Sequence, residues 1–224
     1  MRPNHALTLL LASAATLATA TATAAAQARG AGPLPLVLHV AIDDGRPVAT
    51  EAWLGEAISL ANGHFAEAGV SFGERERRTL PEGFATLATI RDRHRLKRFL
   101  VPRAINVFVV DRIDDPVPSE ATRRAAARQG FEPTGRLGGA HVRAPRHSPG
   151  TYMIVSRRSA PLVVTHELGH FLGAPHHADP ENIMSYGRER SRFDERQRAA
   201  FRTFARRHVR RGALRPMRRP AEPD

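Results

Sequence analysis

His166-Glu167-Leu168-Gly169-His170-Phe171-Leu172-Gly173-Ala174-Pro175-His176 is the stretch on which the reading of this chain turns. It fits the spacing H-E-x-x-H-x-x-G-x-x-H, and each fixed position has its own physical task. His166 and His170 are four residues apart, so on a helix they project from one face, one turn apart. Two neutral imidazoles on one face can grip a single Zn²⁺ at about 2.0–2.1 Å each. Glu167 follows the first imidazole and can reach a water on that ion. Gly173 lets the chain leave the helix through a left-handed turn that a Cβ disfavours. Pro175 stops the helix from resuming, and His176 can swing back as the third ligand. Three protein ligands leave a fourth position open, the arrangement of a catalytic rather than a structural zinc. The helix is expected to start near Pro161, with Ser159 as N-cap and Leu162, Val163, Leu168 and Phe171 as its apolar face.

A second motif follows: Asn182-Ile183-Met184-Ser185-Tyr186. With the histidine stretch before it, this segment resembles the Met-turn of the metzincin metallopeptidases. The eight-residue step from His176 to Met184 matches matrixin spacing, and Asp179-Pro180-Glu181-Asn182 also looks matrixin-like. Matrixins usually carry proline two residues after the methionine. Here that residue is Tyr186, as in astacins, serralysins and pappalysins, where the tyrosine can approach the metal.

The resemblance implies an α+β fold: a metzincin-like catalytic domain with a mixed twisted β-sheet, an active-site helix, a Met-turn and a C-terminal helix. It implies one catalytic Zn²⁺ held by His166, His170 and His176, with Glu167 as general base and Met184 beneath the metal. Tyr186 would lie near the metal and donate a hydrogen bond to the oxyanion. Residues 138 to 143, centred on Gly139, Ala140 and His141, would be the edge strand along which a peptide substrate pairs. The activity implied is that of a secreted zinc endopeptidase. The alternative is a zinc-bearing envelope or surface-binding protein with little hydrolytic activity, against which the intact Glu167 argues. No calcium requirement is legible.

Other histidines compete less well. His177 adjoins His176 and could bind metal, but the motif spacing selects His176. Leu137-Gly138-Gly139-Ala140-His141 resembles a matrixin stretch bearing a structural-zinc histidine; the remaining ligands of such a site are missing, so no second zinc is expected. His39, His64, His94, His147 and His208 read as core or surface residues.

Composition bounds the rest. Arg2, the apolar run Ala6 to Leu17 and the small residues Ala24-Ala25-Ala26 read as a secretory signal peptide, too short to span a bilayer comfortably. Residues 1–26 are therefore expected to be the signal, 27–211 one zinc-peptidase domain and 212–224 a basic, disordered tail, in a protein exported to the periplasm or outside. About ten residues separate the cleavage site from the first strand, leaving no room for a sizeable pro-segment. The chain has no cysteine, so no disulfide staples it and no cysteine switch can hold it latent. Net charge is +12, and all basic residues except Lys97 are arginine. That charge reads as a solvated surface; it lacks interleaved aromatics, and no specific nucleic-acid partner is expected. The expected partner is a protein or peptide substrate, acted on by a monomer.

Along the chain, Leu36 to Ile42 reads as a strand and Glu51 to Ala68 as a helix capped by Thr50. Val70 to Phe72 begins a second strand, and residues 85 to 99 form a short basic helix closed by Pro102. Ile105 to Val110, apolar and β-branched, reads as a central strand. Residues 114 to 137 form a long connection. Gly139 to Arg143 and Thr151 to Ser156 are two more strands, and a last helix runs from about Asp194 to His208.

Overall fold

The computed structural model describes residues 32–114, 120, 124, 136–142, 151–187 and 189–218. The expected signal peptide and most of the 114–137 connection lie outside the described residues. The elements follow in the order β1 (Leu34–Val40), β2 (Ile42–Asp43), β3 (Arg46–Pro47), α1 (Glu51–Phe65), β4 (Phe72–Thr79), β5 (Thr86–Leu87), α2 (Ile90–Arg95), β6 (Ile105–Val110), β7 (Arg112–Asp114), β8 (Arg136–Leu137), β9 (Gly139–Val142), β10 (Tyr152–Ser156), α3 (Leu162–Phe171) and α4 (Glu195–Arg210).

β1 and β6 are buried along their whole length, as strands covered on both faces must be. They sit inside a five-stranded sheet of order β4-β1-β6-β10-β9. Every neighbour pair is parallel except β10 with β9, which is antiparallel. The fold is thus α+β with a mixed sheet. Leu36, Leu38, Val107 and Val155 point to one face, where α1, α3 and α4 bury their apolar sides. On the other face, Phe108, Val110, Tyr152 and Ile154 pack under Leu80, Leu87 and Leu96. Covering both faces removes the sheet's large apolar area from water, the main stabilising term of a domain this size.

Local chemistry fixes the helices. Thr50 accepts a hydrogen bond from Trp53 N–H at 3.3 Å and caps α1, and the chain continues past Phe65 as a 3-10 turn to Ala68. Gly69, at φ 61°, ends it in the left-handed region, as a C-terminal glycine does. Asp194 and Gln197 form a reciprocal capping box at the start of α4, worth about 1 kcal/mol as caps go. The rings of Phe193 and Phe201 each lie within 4.9 Å of Phe65, so an aromatic cluster joins α1, α4 and the loop between α3 and α4.

Three expectations are corrected. The helix expected over 85–99 is shorter, Ile90–Arg95 with a 3-10 turn Leu96–Phe99, because Thr86 and Leu87 pair with β7 instead. Ser159 does not cap α3: its N–H donates to the Ser156 carbonyl at 3.0 Å, and Pro161 occupies the cap position with no side-chain bond. The tail does not leave the domain at Gly212. Leu214 is buried, and Met217 N–H donates to the Pro33 carbonyl at 2.9 Å. Leu214 and Met217 are apolar anchors among the arginines, and they hold residues up to 218 against the start of β1. Among the described residues no helix is long and apolar enough to cross a membrane.

Candidate metal centre

α3 carries the first half of the site because its inner face is apolar. Val163, Val164, Leu168 and Leu172 are buried in the core, which fixes the helix and buries His166 and Glu167 with it. Gly169 sets its distance from the loop below. A methyl at Gly169 would fall inside contact with the Met184 sulfur, so the absent side chain lets Met184 seat directly under the helix. Gly173 ends the helix at φ 95°, and Ala174 N–H reaches back to the Gly169 carbonyl at 2.9 Å. A Cβ at Gly173 would also strike the Phe204 ring.

That turn returns His176 to the helix. The ligand-capable atoms of His166, His170 and His176 all lie within 4.8 Å of one another. His170 Nε2 is 3.1 Å from both His166 Nε2 and His176 Nε2. The outer nitrogens decide what this means. His166 Nδ1 is 2.7 Å from the Ile183 carbonyl, and His170 Nδ1 is 2.8 Å from the Ala174 carbonyl. A carbonyl only accepts, so each Nδ1 carries the proton and each Nε2 presents a bare lone pair. Burial first, then the neighbouring His170, depresses the His166 pKa to about 3 and that of His176 to about 4, so both rings are neutral at ordinary pH. Bare lone pairs facing each other at 3.1 Å repel unless a cation lies between them. Neutral imidazoles with outer N–H groups committed to carbonyls are the donor set that fits a divalent metal, Zn²⁺ foremost.

His177 faces elsewhere. Its Nε2 lies 3.5 Å from Asp194 Oδ2, its Nδ1 accepts from Asp179 N–H, and its own N–H donates to the Met184 carbonyl. The histidine pair thus splits its work, one ring toward the cluster and one toward the loop's anchorage.

Glu167 is buried, and its Oε2 has no hydrogen-bond partner among the described residues. Burial pushes its pKa up to about 8, with the Arg190 charge pulling the other way. Gly139 of β9 makes room for it: a Cβ there would overlap Glu167 Oε1 and Cδ. β9 therefore runs against the carboxylate at Gly139, with Ala140 and His141 following along the strand.

The loop below is held by a network that spacing alone did not disclose. Asn182, almost fully buried, exchanges hydrogen bonds with Gln197 at 2.9 and 3.2 Å and accepts from Met184 N–H at 2.9 Å. Ser185 Oγ donates to the Pro180 carbonyl. Tyr186 rises from this loop with its hydroxyl 3.2 Å from His176 Nδ1. It thus touches the cluster through the outer nitrogen of His176, not on the side of the three Nε2 atoms. Its pKa is raised by burial first and by the Glu167 charge second. Arg190, another residue without a sequence signal among so many arginines, lies with Nη1 3.4 Å from His166 Nδ1.

The sequence matches no protein-family model and no curated protein. Among solved structures, the fold is similar to metalloproteinase-II from Bacteroides fragilis, at TM-score 0.53 and 14% identity, over 77% of this chain and 53% of that one. It is also similar, at TM-score 0.44 and 13% identity over 79% of this chain and 35% of the other, to a chain in a chaperone-substrate complex. The first likeness gives this chain a metalloproteinase fold; the second is too distant to define one. The chain spans about half the length of the metalloproteinase it matches.

Proposed function

We propose that this protein is an exported zinc-dependent endopeptidase of metzincin type, with a catalytic domain that begins at about residue 27 and includes the packed segment up to residue 218. The observation that carries the reading is the cluster of three imidazole Nε2 atoms beside a buried, unpartnered glutamate. His166, His170 and His176 would hold the ion. A Zn²⁺ bound there would supply Lewis acidity toward a peptide carbonyl and an attacking water.

The chain's own groups do the rest. Glu167 takes the water proton at its free oxygen and returns it to the departing amine. Its isolation from other donors suits this task, because no resident hydrogen bond competes for Oε2. As a base it must be ionised, and positive charge nearby, starting with Arg190, favours that form. Met184 supports the helix from below through Gly169. Tyr186 rests on the outer nitrogen of His176; it would have to swing to the Nε2 side of that ring to donate to the developing oxyanion.

The two edges of the sheet support β9 as the substrate strand. β4, at one end, is Phe72–Thr79 with alternating Glu and Arg side chains, paired as Arg77 with Glu74 and Glu51 and Arg78 with Glu76. Such charge blunts an edge against pairing. β9, at the other end, presents Gly139 and Ala140 beside Glu167. An extended peptide adding to β9 would pair by backbone hydrogen bonds and lie across the carboxylate.

The test is cleavage of an unfolded protein by the mature chain, with and without a chelator. Cleavage abolished by the chelator and restored by zinc is the expected result. Stoichiometric zinc with no cleavage would favour the alternative reading, a zinc-bearing surface-binding protein.

A further inference from the structure

Arg190 stands beside the site with most of its guanidinium unused by the described residues. Other arginines of this region are matched: Arg192 reaches Asp179 and Glu181, and Arg198 reaches Glu67. Arg190 is half-buried, yet no carboxylate among the described residues comes within 4.0 Å of it. Its Nε is buried with no hydrogen-bond partner. Its Nη1 has two long contacts, 3.5 Å to the Ser185 carbonyl and 3.4 Å to His166 Nδ1. The second is not a hydrogen bond, because that nitrogen already donates to Ile183. A guanidinium offers five donors in a planar fork, and here the protein uses almost none of them. Leaving its buried Nε without a partner carries a cost. Glu167 acts on this guanidinium only from beyond ion-pair distance, so the fork is left able to take a second anion.

The place identifies the anion. Arg190 interacts electrostatically with Glu167, and Glu167 abuts Gly139 on β9, an edge strand of the sheet among the described residues. A peptide on β9 would run past both. We infer that Arg190 is a specificity-determining residue that binds a carboxylate of the peptide substrate close to the bond that is cut. This rests on the peptidase reading. A planar fork on a carboxylate gives a bidentate, charge-assisted contact. The carboxylate can come from an internal aspartate or glutamate, or from the C-terminus of the chain being cut.

The test uses the mature, zinc-loaded protein and one peptide scaffold. Glu, Gln or Lys is placed at each position flanking the cleaved bond, and the C-terminus is free or amidated. Wild type is expected to prefer Glu over Gln at one position by about 10- to 100-fold in kcat/KM, the scale of one charge-assisted contact. Arg190→Gln should reduce that ratio to near unity, and Arg190→Lys should keep part of it. Arg190→Glu should turn the preference toward Lys. A preference for the free over the amidated C-terminus would assign the carboxylate to the chain end instead of a side chain. Binding of the same peptides to metal-free protein, followed by fluorescence anisotropy, should rank Glu above Gln in wild type and not in Arg190→Gln. If neither acid nor free terminus is preferred, or the preference survives Arg190→Gln, the inference is overturned. If nothing is cleaved but binding still ranks Glu above Gln through Arg190, the carboxylate site stands and the peptidase reading falls.

Discussion

His166 and His176 offer the same kind of atom to the same cluster, yet one is carried by a buried helix and the other by an exposed return loop. The helix half is fixed by the core: Val164, Leu168 and Leu172 pack beneath it, and Gly169 lets Met184 close the floor. The loop half has little apolar packing of its own at His176. It is held by hydrogen bonds, from His177 N–H to the Met184 carbonyl, within the Asn182–Gln197 pair, and between His176 Nδ1 and the Tyr186 hydroxyl. One half is therefore positioned by burial and the other by a polar network anchored on α4. Damage to the two halves should look different.

The largest effect belongs to the helix half. Glu167→Ala should lower kcat/KM on an unfolded protein by about 10²–10⁴-fold, while elemental analysis finds the metal retained, because the imidazoles and the proposed base are separate side chains. In the loop half, Asn182→Ala should destabilise the protein by about 2–3 kcal/mol in urea unfolding, since it strands the buried Gln197 amide and the Met184 N–H. It should also weaken zinc binding, because the same loop holds Met184 and, through it, the His177 segment. A variant that lost stability yet bound zinc like wild type would separate the loop from the site.

Titration sharpens the contrast further. In the metal-free protein the Glu167 pKa is about 8 against an ordinary 4.5. Between those values the folded state holds a proton that the unfolded state has released, so stability falls as pH rises. Glu167→Gln should remove this loss. The variant should gain on wild type by roughly 1.4 kcal/mol per pH unit across that window, read from urea unfolding at several pH values. His166 works in the opposite direction. Its pKa falls from 6.5 to about 3, so only the unfolded chain takes up the proton between those values, and stability falls as pH drops from 6.5. A constant difference between Glu167→Gln and wild type from pH 4.5 to 8 would contradict the burial of an unpartnered carboxylate.

The smallest effect is expected at the rim. Tyr186→Phe removes one partner of His176 Nδ1 and keeps the ring. Zinc affinity should fall by about tenfold, the lower end for loss of such an outer contact, with thermal stability unchanged. An added drop in kcat at full zinc occupancy would assign the hydroxyl to the oxyanion as well.

What the sequence disclosed follows the same division. The spacing of His166, His170, Gly173 and His176 was legible because a helix followed by a left-handed turn leaves few alternatives. The core strands were legible too: Ile105–Val110 is apolar throughout and sits centrally, as its composition requires. Interactions between residues far apart in sequence were not legible. The Asn182–Gln197 pair spans two elements, and Gly139 and Gly169 earn their meaning only from Glu167 and Met184, which face them in space. Arg190 is indistinguishable by type from the arginines around it until its lack of an ion-pair partner among the described residues is seen. The cap of α3 failed for a related reason: Ser159 had a competing use in the turn after β10.

The central claim is that His166, His170 and His176 form one metal centre while their neighbour His177 belongs to the scaffold. Zinc per chain, measured by elemental analysis after exhaustive dialysis, tests it most directly in wild type, His176→Ala and His177→Ala. The account predicts one zinc in wild type, retention in His177→Ala and loss in His176→Ala. Retention in His176→Ala with loss in His177→Ala would contradict it.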